Sequence, residues 1–166
     1  MSTPISRQHR AAIASGIVVA FSVSGAAPAG ADGKTYPPVR DPLVAKECGA
    51  CHMKFPAGLL PAASWQRIMA GLKDHFGENA ELDAATAQQV LSYLMANAEP
   101  GPKAGTSASG AAGEPLLRIT EQPWFKRKHG PKRISADALK RKNARSAADC
   151  VACHGTIAET AGVFED

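Results

Sequence analysis

Cys48-Gly-Ala-Cys51-His52 and Cys150-Val-Ala-Cys153-His154 use all four cysteines of this 166-residue chain. C-x-x-C-H is the spacing of covalent c-type haem attachment. Two thiols three positions apart can add to the two vinyl groups of one porphyrin, and the next imidazole can reach the iron. Two copies predict two haem c groups. Aromatic residues make up 5% of the sequence, so the flat apolar faces of the haems would supply core that the side chains lack. The apoprotein is expected to be largely unfolded.

Three other uses of the cysteines are weaker. A Cys₄ zinc site would join pairs that lie far apart in the chain, and it leaves the histidine after each pair unexplained. A thioredoxin-like motif expects a βαβ surrounding that is missing. Plain disulfides need no following histidine.

The histidine count adds to this. Apart from His9 there are four, His52, His75, His129 and His154, and two irons have four axial positions. His52 and His154 are proximal by motif. His75 and His129 are the candidate distal ligands, one in each half. The competing readings are a core histidine on an amphipathic helix for His75 and a solvated basic stretch, Lys126-Arg127-Lys128, for His129. No methionine follows Met95, so the second haem has no His/Met option within its own half. Met53 is badly placed to reach the far side of a haem, and Met69 and Met95 fall on apolar helix faces.

Residues 1–31 read as a signal peptide: Arg7 and Arg10, an apolar stretch from Ala11 to Val23, and a small-residue cleavage pattern at Ala29-Gly30-Ala31. Cleavage near Ala31 would deliver the chain to the periplasm with no membrane-spanning segment. The remainder has 17 basic and 15 acidic side chains, too mild an excess to argue for nucleic acid.

The rest is mostly α, with much loop. An extended arm from Asp32 to Pro42 precedes a short helix over 43–52. Trp65, Ile68, Met69, Leu72, His75 and Phe76 share one helical face, predicting a helix from Ser64, its cap, to Phe76, stopped by Gly77. Asp83 caps a further helix whose buried stripe is Val90, Leu91, Leu94 and Met95. A Pro-, Gly- and Ser-rich stretch, 99–116, is a flexible linker. It separates an N-terminal c-type haem domain, 32–98, from a C-terminal c-type haem region, 117–166. In the latter a short helix is expected from Thr120 to His129, a second from Ser135, and a third, carrying the last cysteines, from a capping box at Ser146.

The runs SWQRIMAGLKDHFGENAELD (64–83) and EQPWFKRKHG…CVACHG (121–155) resemble the dihaem cytochrome c family, often called DHC. The resemblance implies two covalent haems, each with two histidine ligands matched here by His52, His75, His129 and His154. It also implies an electron-transfer role and an N-terminal part like a small class I cytochrome c. It further implies a redox partner, either an oxygen-binding monohaem cytochrome c or a membrane cytochrome b. The alternative is a dihaem enzyme, a peroxidase or small-molecule reductase, with one open haem site.

Overall fold

Asp41 opens the first helix, α1 (Pro42–Cys48), by accepting from the Leu43 and Val44 backbone N–H groups at 3.0 Å each, with Pro42 at the first helical position. The computed structural model describes residues 35–99, 113–131 and 133–164. The expected signal peptide lies outside these residues, as do positions 100–112 of the expected linker. The described residues belong to one compact unit. They are helical with much loop and contain no strand, only isolated bridges. No described helix is long and apolar enough to cross a membrane.

Helix α2 (Ala62–Ala70) is shorter than its apolar periodicity predicts. Gly71 ends it, a 3₁₀ turn covers Leu72–Asp74, and His75 stands beyond the helix. Ser64 is not its cap. It lies inside the first turn, fully buried, and its hydroxyl donates to the Leu116 carbonyl at 2.8 Å. Helix α3 (Ala84–Asn97) follows the sequence closely: Asp83 accepts from Ala85 and Thr86, and Val90 and Leu94 are buried. These elements enclose a core of Val39, Val44, Ala57, Leu60, Trp65, Ile68, Val90 and Leu94. The Trp65 indole N–H donates to the Ala57 carbonyl at 2.7 Å.

The C-terminal segment is built from short pieces: α4 (Pro123–Lys128), α5 (Ala136–Arg141), α6 (Cys150–His154) and α7 (Ile157–Thr160). The expected helix over 120–129 begins only at Pro123, after a 3₁₀ turn at Ile119–Glu121. Ser146 does not cap α6. Its oxygen accepts from Ala148 two residues on, closing a local turn, and Asp149 holds the cap position.

Several contacts tie this segment to the first. Leu117 and Ile119 pack against the core. The Tyr36 N–H of the arm donates to the Gly162 carbonyl at 2.9 Å. Gly162 has φ +65°, and a Cβ there would collide with the Tyr36 carbonyl, so glycine is required on two grounds. Lys54 Nζ pairs with Glu159 at 2.6 Å.

Candidate haem-binding sites

The first motif straddles a helix end. Cys48 is the last residue of α1, Gly49 caps it, and Cys51 and His52 lie in the turn beyond. The His52 Nδ1 lies 2.7 Å from the Met53 carbonyl. A carbonyl only accepts, so Nδ1 carries the proton and Nε2 keeps its lone pair for a metal. The Phe55 ring packs 5.0 Å from that of His52.

His75 enters from a tight turn. Its N–H donates to the Glu78 carbonyl at 2.7 Å, and the Glu78 N–H returns to His75 at 3.3 Å. The two residues between, Phe76 and Gly77, both have positive φ, +57° and +103°. Gly77 adopts this freely. For Phe76 it is strained, at a cost of about 1–3 kcal/mol. The turn sets His75 beside His52, with ring centres 6.3 Å apart and planes 25° from parallel. Burial, then His52, then Arg118 holds the His75 pKa below the ordinary value, which favours the neutral, ligating form.

The second motif is helical throughout, and Gly155 at φ +71° ends α6 directly after His154. Burial pushes the Cys150 thiol up to about 11 and, with a contribution from Glu47, raises that of Cys48. This is the opposite of the low-pKa thiolate a thioredoxin-like redox motif needs. No disulfide joins any two of the four cysteines. Among the described residues no three or more His, Cys, Asp or Glu converge as a zinc site would require.

His129 closes α4, its N–H donating to Phe125 at 2.7 Å. Its ring lies on the buried Phe125 ring, centres 4.2 Å apart and planes at 14°. The His154 ring stands 5.8 Å away at 83°. Phe164 packs edge-on to His154 at 5.6 Å and touches Tyr36 of the arm. The neighbouring Trp124 has a buried indole N–H without an acceptor in the polypeptide.

These residues fit two iron-centred groups. An imidazole nitrogen binds a transition metal at about 2 Å and lies about 1.1 Å from its ring centre, so two imidazoles trans on one ion have centres about 6 Å apart. Both pairs meet that spacing. Within each half the two histidines stand side by side. The aromatic walls Phe55, Phe125 and Phe164 are absent from the motif logic, and only the position of Phe125, four residues before His129 in a short helix, hinted at one of them. Met69 packs against the core.

Residues 44–164 match the family model described as dihaem cytochrome c. Among solved structures, a diheme cytochrome c from Rhodobacter sphaeroides is 48% identical, with a TM-score of 0.64, covering 77% of this chain and 99% of its own. A crystal structure of DHC purified from the same organism is also 48% identical, with a TM-score of 0.60, covering 76% and 99%. A diheme cytochrome type c from Shewanella baltica OS155 is 35% identical, with a TM-score of 0.58, covering 75% and 86%. No curated protein matches the chain.

Proposed function

The chain belongs to the dihaem cytochrome c family and carries two c-type haems, and we propose that it is a periplasmic electron carrier whose irons are each closed by two histidines. Cys48 and Cys51 would hold the first haem and Cys150 and Cys153 the second. His52 with His75, and His129 with His154, would be the axial ligands. The observation that carries this reading is the spacing of the two histidine pairs, 6.3 and 5.8 Å between ring centres.

Low-spin haem with both axial sites filled exchanges an electron with little change of geometry and leaves no place for substrate. The residues of the chain then act as holders. The Met53 carbonyl orients His52, the turn at Phe76-Gly77 presents His75, and Phe125 backs His129. His75→Ala should leave the haem attached but open its iron to carbon monoxide. Wild-type protein that binds carbon monoxide at both haems without delay would favour the enzyme reading.

The proposed partner is a redox protein with an acidic docking face. Lys126, Arg127, Lys128, Lys140, Arg141 and Lys142 are all exposed in the C-terminal segment. Such charge acts mainly on association rate and is screened by salt. Charge reversal at Lys140, Arg141 and Lys142 should slow bimolecular electron transfer at low salt and flatten its salt dependence in stopped flow. An unchanged rate and slope would remove the tract from docking. An oxygen-binding monohaem cytochrome c and a membrane cytochrome b are the two partners to assay first.

A further inference from the structure

Arg118 lies in the C-terminal segment, yet its guanidinium carbon stands 4.2 Å from the centre of the Phe76 ring. That ring is itself 4.9 Å from the ring of His75. Leu117 and Ile119, its neighbours on either side, pack against the core of the first segment, so the backbone that carries Arg118 is anchored on both sides. We propose that Arg118 is a charge delivered in trans along the chain to the first haem, and that it raises the reduction potential of that haem selectively. The proposal rests on the reading of His52 and His75 as its axial ligands.

Taking up one electron lowers the charge of a haem site by one. A nearby cation therefore favours the reduced form, and its removal favours the oxidised form. Glu121 acts in the opposite sense, with a carboxylate oxygen 4.0 Å from Arg118 Nε. Both side chains are about half exposed, at 52% and 46%, so the effect must weaken as salt screens it.

The test is a mediated spectroelectrochemical titration of the intact two-haem protein, fitted to two one-electron components, at low and high ionic strength. Arg118→Gln should move one component to lower potential and leave the other in place. Arg118→Lys should restore most of that shift. Glu121→Gln should move the same component upward by a smaller amount. Both shifts should shrink at high salt. Two potentials unchanged in Arg118→Gln at low salt would overturn the proposal, as would Arg118→Gln and Glu121→Gln moving a potential in the same direction. The underlying reading is checked separately on the same samples, through low-spin spectra and carbon monoxide binding by His75→Ala. If His75→Ala leaves the iron coordination unchanged, the ligand reading fails. If ligation holds and Arg118→Gln titrates as wild type, only the role of Arg118 fails.

Discussion

Around the first motif, α1, α2 and α3 bury Val44, Trp65, Ile68, Val90 and Leu94, and the histidines stand at the margin of a core made of side chains. Around the second, the buried side chains of helices α4 to α7 are Phe125 and Ala158. The longest of these helices has six residues, too short to persist without packing. The first region thus has its own apolar core beside a haem site. The second has little core of its own and leans on what the first region offers: Tyr36 against Gly162 and Phe164, and Lys54 against Glu159. Two attachment sites of one spacing can therefore have different structural weight.

The most drastic way to break this comparison is to remove one haem at a time. Replacing Cys48 and Cys51 by Ala, or Cys150 and Cys153 by Ala, should halve the haem content in either case. The consequences should differ. Loss of the second haem should abolish hydrogen-exchange protection across 123–164 while α3 stays protected, whereas loss of the first should leave a residual helical core. Equal loss of protection in both variants would mean that the side-chain core of the first region does not stand by itself.

Core truncation comes next. Leu94→Ala removes a side chain that is 3% exposed and should cost about 2–5 kcal/mol in denaturant unfolding of the holoprotein. Leu139→Ala, at a partly buried position on α5, should cost clearly less. A reversal of that order would place the stability in the wrong region.

Gly162→Ala tests the dependence of the second region on the first. The residue must leave φ +65° or displace Tyr36, so the expected loss is about 1–3 kcal/mol. The change should appear as faster exchange in α7 before any in α2.

The smallest effect is electrostatic. Hydrogen bonding to Lys54 holds the Glu159 carboxyl below the usual value. A group with a lowered folded pKa stabilises the fold above its unfolded pKa, and the contribution disappears as pH falls through the folded one. The pair lies at the surface with both side chains partly exposed, at 30% and 26%, so about 1 kcal/mol is at stake. Glu159→Gln should remove that much at pH 7 and almost nothing at pH 3. An equal difference at both pH values would point to packing instead of charge.

Motifs and caps that act within one or two turns were readable from residue order. The two C-x-x-C-H runs declare the haems because the porphyrin dictates the spacing. Asp83 declares α3 because a carboxylate there can meet only the N–H groups that follow it. The apolar period after Trp65 misled, since Gly71 breaks the helix while the pattern continues through Leu72, His75 and Phe76. His75 consequently sits in a strained turn and not on a helix face.

Other features had no local signature at all. Ser64 looks like a cap, yet it is buried, and its hydroxyl meets a carbonyl 52 residues away. The adjacency of His52 with His75 and of His129 with His154, and the reach of Arg118 to Phe76, likewise depend on which surfaces bury against each other. Short-range geometry decides what a residue can do for its own turn. Only packing between distant segments decides which residues share a site, because that choice minimises exposed apolar surface over the whole unit, and no window of neighbouring residues contains it.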